Sequence, residues 1–219
     1  MPLDIKICGL KTPETIAAAL DGGASYIGFI FFAKSPRYVE PELAGRLREA
    51  ARGRAKAVAV VVDADDAFLD RIVSEMKPDL LQLHGKETPE RVAAVKVRYG
   101  LPVMKALSVS EAADLDRIAP YLGIADRFLF DAKPPKGSEL PGGNGVSFDW
   151  QLLQKLDSKL DYLLSGGLNA QNIGEALQLA NPPGIDISSG VESAPGVKDV
   201  SLIGGFFRAV KAARAGRAA

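Results

Sequence analysis

A chain of 219 residues can bury most of its apolar surface around one substantial core, and a single domain over residues 1–219 is the expected organisation. Hydrophobic residues make up 47% and charged residues 25%, with 27 basic side chains against 27 acidic ones; this balance excludes the excess positive charge that a nucleic-acid or membrane-surface binder needs. One Cys excludes an internal disulfide and, with one His, leaves too few soft ligands for a structural zinc site, so any chemistry must lean on carboxylates, backbone dipoles or the lone thiol.

The opening residues carry Asp4 and Lys6 where a secretory signal would need an apolar stretch, so no signal is expected and the cytoplasm is the expected compartment. A first strand is predicted over 4–7, running into Cys8 and Gly9, after which Thr12 and Pro13 mark a helix start. The second strand, 26–31, leads into a segment over 33–41 with Lys34, Arg37 and two prolines, and the third, 57–62, leads to Asp63 as a predicted N-cap. The apolar runs 26–32 and 57–62 fall well short of the roughly 20 residues needed to cross a bilayer, and no membrane span is expected. The fourth strand, 80–83, precedes His84 and a Thr88-Pro89 helix start, and the fifth, 103–106, precedes Ser108 and Glu111 at capping-box spacing. The sixth, 128–130, ends at Asp131 and opens into a Pro- and Gly-rich loop over 132–146. The seventh, 162–164, is followed by Ser165-Gly166-Gly167-Leu168-Asn169, with Asn169 as the next cap, and the eighth, 185–187, by Ser188-Ser189-Gly190-Val191. Beyond Phe207 the Ala- and Arg-rich tail reads as the frayed end of the last helix.

Short β-branched runs alternating with segments of helical period are the signature of a parallel sheet with crossover helices. About eight such units in this length point to an α/β fold, a single-domain (β/α)₈ TIM barrel at the small end of its size range. An open doubly wound sheet is the competing architecture, weakened by the lack of a Gly-x-Gly-x-x-Gly after the first strand.

In a barrel, residues just past the strands' C-terminal ends form the catalytic rim. An isolated thiol is ordinarily a small buried core residue, but Cys8 stands at that rim, where Lys6 or a helix N-terminus could favour its thiolate. Asp131 closes the sixth strand with apolar residues before it, which favour a neutral carboxyl able to donate a proton; a loop-ordering Asp is the alternative. Asp186, inside the last strand, suits a structural or supporting role. Gly166 and Gly167 after the seventh strand and Ser188, Ser189 and Gly190 after the eighth occupy the two places where barrels bind phosphate. Arg37, stiffened by Pro36, suits a fork-shaped clamp on a carboxylate, although a surface Arg is the ordinary reading. His84 suits an acid, a base or a hydrogen-bonded rim residue, the last being favoured because its strand does not obviously face Cys8, and Phe148 and Trp150 read as packing the long loop onto the barrel.

Taken in order, Lys6-Ile7-Cys8-Gly9, Ser35-Pro36-Arg37-Tyr38-Val39, Gln82-Leu83-His84-Gly85, Phe130-Asp131-Ala132, Phe148-Asp149-Trp150 and Asp186-Ile187-Ser188-Ser189-Gly190-Val191-Glu192 resemble the phosphoribosylanthranilate isomerase family of tryptophan biosynthesis. The resemblance extends to Gly142-Gly143-Asn144-Gly145, where a hydroxyl residue is commoner than Asn144. It implies an Amadori rearrangement of N-(5-phosphoribosyl)anthranilate, with no cofactor and no metal. Asp131 is then the general acid that opens the ribose ring and Cys8 the general base that takes the proton from the second sugar carbon. Arg37 would pair with the anthranilate carboxylate, and His84, Gly143, Asn144 and Asp186 would complete the substrate contacts. The amides around Gly166, Gly167, Ser188, Ser189 and Gly190 would hold the phosphate.

Two rival readings share the phosphate loops. A barrel isomerase of a histidine-pathway sugar phosphate resembles a two-Asp design, against which Cys8 argues; a noncatalytic phosphate-ligand barrel would not need the pair Cys8 and Asp131. The expected partner is a small phosphorylated substrate, and a monomer is favoured over a homodimer.

Overall fold

The computed structural model describes residues 3–135, 137, 138 and 140–216, so the two ends of the expected 1–219 domain lie outside the described residues. Eight parallel strands close on themselves in sequence order: β1 (Asp4–Cys8), β2 (Tyr26–Phe31), β3 (Lys56–Val61), β4 (Leu80–Leu83), β5 (Val103–Val109), β6 (Arg127–Ala132), β7 (Tyr162–Leu164) and β8 (Gly184–Ile187). Closure is made by β1 against β8, with Lys6 opposite Asp186 and Ile7 opposite Ile187. The open doubly wound sheet is thereby excluded.

The strands read as continuous apolar runs because both of their faces are covered. Side chains alternate between the faces, and the core is accordingly divided. Cys8, Tyr26, Val58, Val60, Leu80, Met104, Ala106, Leu129 and Leu163 pack in one cluster that fills the barrel interior. Their sequence neighbours, such as Ile7, Ile27, Ala59, Leu81, Phe130 and Leu164, join the larger cluster between barrel and helices. This period of two sends Lys6 inward with Cys8, Gln82 with His84, and Leu129 with Asp131.

The crossovers are α1 (Pro13–Gly22), α2 (Pro41–Arg48), α3 (Asp66–Met76), α4 (Pro89–Tyr99), α5 (Ile173–Ala180) and α6 (Val200–Ala215), whereas 3₁₀ segments at Ala112–Tyr121 and Trp150–Lys155 serve after β5 and β6. Thr12 and Thr88 cap α1 and α4 as expected, accepting from the amides of Thr15 and Arg91. Three other expected caps are displaced. Asp65, not Asp63, caps α3, and Asp63 instead sits at φ 47° and accepts from the Lys86 amide. Ser108 belongs to β5, where it pairs with Asp131, and the capping box forms at Glu111 and Asp114. Asn169 caps only a turn, accepting from the amides of Gln171 and Asn172, and α5 starts at Ile173. The tail is more ordered than expected: α6 continues past Phe207 to Ala215, as its run of Ala, Lys and Arg favours.

Candidate active site

On β1 the inward residues are Lys6 and Cys8. Lys6 is fully buried and reaches Asp186 Oδ1 at 2.9 Å, while Asp186 Oδ2 lies 3.4 Å from Ser165 Oγ. Across from them Gly28 leaves the necessary room, since a Cβ there would stand 3.1 Å from both Cys8 Sγ and Lys6 Cε. Burial pushes the Cys8 thiol up, against the lowering influence of the Lys6 and Lys198 charges, and Asp186 adds to the upward push. The neutral thiol is therefore the resting form, and the expected help from Lys6 is outweighed. Burial alone would lower Lys6, but the charge and hydrogen bond of Asp186 hold it above its ordinary value, so it stays an ammonium.

Asp131 ends β6 with its side chain almost wholly covered. Its Oδ1 accepts from the Ala132 amide at 2.9 Å, and its Oδ2 lies 3.4 Å from His84 Nε2. His84 Nδ1 in turn lies 2.8 Å from Gln82 Nε2. The β6 loop comes down over this contact at Gly142, where a Cβ would stand 2.5 Å from Asp131 Oδ2 and 2.8 Å from His84 Nε2. Behind His84, the buried pair Lys105 and Glu87 fixes the turn that carries it. Lys105 Nζ donates to Gly85 O and Glu87 Oε2, both at 2.8 Å, and Glu87 accepts from the amides of Asp63 and Gly85.

Arg37 is not a surface residue: it is 4% exposed, and its fork is already engaged. Nε and Nη2 each donate to a Glu192 carboxylate oxygen at 2.8 Å, and Nη2 also donates to Gly143 O at 3.2 Å. The two-pronged edge is thus taken, and Nη1 remains at the cavity wall beside Gly143. Glu192 also pairs with Lys198, whose Nζ donates to Ser188 O at 3.1 Å and lies 3.2 Å from Ser188 Oγ. Burial would raise the Glu192 carboxyl, but the hydrogen bonds and charges of Arg37 and Lys198 hold it below the ordinary range. Lys198 is pushed down by burial, with Glu192 opposing. Two cations share one carboxylate, so this side of the mouth carries surplus positive charge. Glu192 and Lys198 are held by a short hairpin, β9 (Glu192–Ala194) and β10 (Val197–Lys198).

The remaining rim is backbone. Gly166 and Gly167 adopt φ of 92° and 63°, open to glycine, and Asn172 Nδ2 holds the Gly167 carbonyl at 2.9 Å from behind. One open-mouthed cavity is lined by Cys8, Arg37, His84, Asp131, Gly143, Asn144, Gly166, Gly167, Asp186, Ser188 and Ser189. Gly190 does not line it. A Cβ there would stand 1.9 Å from the Leu168 carbonyl oxygen, so this glycine lets the loops after β7 and β8 pack together. The Asn144 side chain is spent within its own loop, donating to Leu140 O at 3.1 Å and accepting from Ser138 Oγ at 3.0 Å. Trp150 is buried and Phe148 packs against the core, as expected. Gln82, Ser165, Glu192 and Lys198 also join the site: the first three lie inside segments quoted from the sequence, while Lys198 carries no local signal of its role. Among the described residues no group of three or more His, Cys, Asp or Glu side chains could hold a metal ion, and no helix is long and apolar enough to cross a membrane.

A closed barrel with a thiol, a carboxyl, an Arg and two glycine-rich loops around one cavity at the strands' C-terminal ends defines a (β/α)₈-barrel enzyme of sugar-phosphate chemistry. Residues 5–209 match the family described as N-(5'phosphoribosyl)anthranilate (PRA) isomerase. The chain is 78% identical over 219 residues, all of both chains, to N-(5'-phosphoribosyl)anthranilate isomerase of Mesorhizobium japonicum. Among solved structures it is similar to phosphoribosyl anthranilate isomerase of Thermotoga maritima, with TM-score 0.86 and 32% identity over 96% of this chain and 100% of that one. It is also similar to a phosphoribosyl anthranilate isomerase in complex with reduced 1-(o-carboxyphenylamino)-1-deoxyribulose 5-phosphate, with TM-score 0.83 and 31% identity over 96% of this chain and 100% of that one. The chain belongs to the N-(5'-phosphoribosyl)anthranilate isomerase family.

Proposed function

We propose that this chain catalyses the Amadori rearrangement of N-(5-phosphoribosyl)anthranilate to 1-(2-carboxyphenylamino)-1-deoxyribulose 5-phosphate, with Asp131 as general acid and Cys8 as general base. The observation that carries this assignment is that both groups, from strands that are not neighbours, line one cavity together with the glycine-rich loops. Asp131 gives its proton to the ribose ring oxygen as the nitrogen lone pair breaks the ring C–O bond. Cys8, as thiolate, takes the proton from the second carbon, and the resulting enolamine tautomerises to the ketose, so substrate and product are isomers and no electrons leave the pair.

Arg37 meets the anthranilate carboxylate through Nη1, because Glu192 occupies the other edge of its fork. The amides of Gly166, Gly167 and Ser189 take the phosphate, while Gly190 acts through loop packing. Fixing both substrate ends orients the reacting carbon. Because burial disfavours the thiolate, the productive state, with Cys8 charged and Asp131 neutral, is a minor form sustained by Lys6 and Lys198. The kcat/KM profile against pH is accordingly bell-shaped, with two limbs that belong to the pair. The reading extends to a monomer in the cytoplasm, the former checked by light scattering on the eluting protein. Loss of substrate fluorescence on adding purified chain tests the reaction; no turnover across the neutral range overturns it.

A further inference from the structure

Gln82 Nε2, His84 Nδ1, His84 Nε2 and Asp131 Oδ2 form one file, with separations of 2.8 Å and 3.4 Å at its two ends. Gln82 is 1% exposed, and its Oε1 is buried without a hydrogen-bond partner among the described residues. The amide can be placed two ways. With Nε2 toward the ring it donates to a bare Nδ1, and an acceptor is left unpaired; turned over, it strands an NH₂ group. A buried donor without a partner is the rarer and costlier of the two, so the first placement holds on physical grounds as well as on geometry. A neutral imidazole that accepts at Nδ1 carries its proton on Nε2. That nitrogen stands 3.4 Å from Asp131 Oδ2.

We propose that Gln82 is a positioning residue that keeps His84 in the Nε2-protonated neutral tautomer and, through that N–H, sets how Asp131 holds its proton. Among the described residues no second charged side chain lies within ion-pair distance of the ring. Asp131 is the one carboxylate within ion-pair distance of His84 among the described residues. Cys8 from β1, Arg37 from the segment after β2 and Asp186 from β8 line the same cavity, but Asp186 is committed to Lys6 and Arg37 to Glu192. Gly142 closes the contact from above and leaves no space for a side chain to intervene. The Nε2 side of the ring, 3.4 Å from Asp131 Oδ2, places partial positive charge beside the carboxylate that forms when the acid gives up its proton to the substrate. The inference about Asp131 rests on its assignment as the proton donor; the inference about the tautomer does not.

His84 is the one His in the chain, so ¹⁵N-histidine labelling gives a spectrum of this ring alone. The wild-type protein without substrate shows a pyridine-type Nδ1 and a protonated Nε2 at neutral pH. A ring protonated at Nδ1, or charged, overturns the tautomer assignment whether or not the protein turns over any substrate. In Gln82→Met the ring becomes a mixture of tautomers. Its kcat falls about 10-fold, short of the ~10²–10⁴ expected for loss of the acid itself, and its pH profile shifts while affinity for inorganic phosphate is unchanged. Gln82→Glu offers an acceptor only, and there Nδ1 becomes protonated. A variant ring that keeps the wild-type tautomer, or a pH profile that does not move in Gln82→Met, contradicts the proposal.

Discussion

At the N-terminal end of the barrel, Arg127 donates from Nη2 to Asp4 Oδ2 at 2.7 Å, lies 2.8 Å from Asp161 Oδ1 and donates from Nη1 to the Tyr26 hydroxyl at 2.9 Å. At the C-terminal end, Asp131 makes one good hydrogen bond to its neighbour's amide and otherwise faces a long contact to His84, and Cys8 is a buried thiol opposite a glycine. Each end buries ionisable groups, Arg127 at the first and Cys8 with Asp131 at the second. The first gives Arg127 two carboxylates and a hydroxyl, with only its Nε unpartnered among the described residues, and so contributes to folding; at the second, Asp131 and Cys8 are less completely matched than the ion pairs around them, which costs stability but keeps them free to exchange protons. The same polarity of the fold makes one end a lock and the other a workplace.

The contrast is broken most sharply at Asp131. Asp131→Asn keeps the shape but cannot donate as an acid, and turnover falls about 10²–10⁴-fold while the melting temperature stays within a few degrees of wild type. A large fall in melting temperature would move Asp131 to the structural side of the comparison. The reverse holds for Arg127→Met, which strands Asp4 and Asp161. Both carboxylates reach water, with side-chain exposures of 34% and 54%, so the loss is about 1–3 kcal/mol in chemical denaturation, with kcat unchanged at 25 °C.

How much of this was legible in the sequence follows the same divide between local and distant causes. The strands were visible because burial on both faces writes a continuous apolar run. Cys8 and Asp131 stood out because a barrel sends strand ends to one rim. Ser108 misled because pairing with β6 carried β5 past the expected capping box, a tertiary effect no local spacing encodes. The engagement of Arg37 by Glu192 spans 155 positions, and Lys198 reaches the site only through the hairpin. The packing need at Gly190 has no local signal either, because the carbonyl that needs its missing side chain belongs to a different loop.

Smaller effects sharpen the picture of the mouth. Arg37→Ala removes a charge-assisted contact to the distal carboxylate, so KM for the anthranilate-bearing substrate rises about 10- to 100-fold, while binding of a plain sugar phosphate changes less; equal losses would deny Arg37 that role. Glu192 adds a pH signature. Its carboxyl binds protons less readily in the folded chain than in the unfolded one, so its contribution is complete above the unfolded value of about 4.3 and is lost as pH falls through the lower folded value. The stability gap between wild type and Glu192→Gln, read from urea midpoints, narrows on acidification; a constant gap would show that Arg37 and Lys198 do not hold the carboxylate.

The central claim is that a buried thiol, poorly ionised at rest, is the base that moves the sugar proton. The most direct measurement is the turnover of N-(5-phosphoribosyl)anthranilate by Cys8→Ala, followed by substrate fluorescence with the variant purified free of any wild-type enzyme. The account expects a folded protein that still binds phosphate ligands and has lost about 10²–10⁴-fold in kcat. Near-wild-type turnover would contradict it and return Cys8 to the packing of the barrel interior.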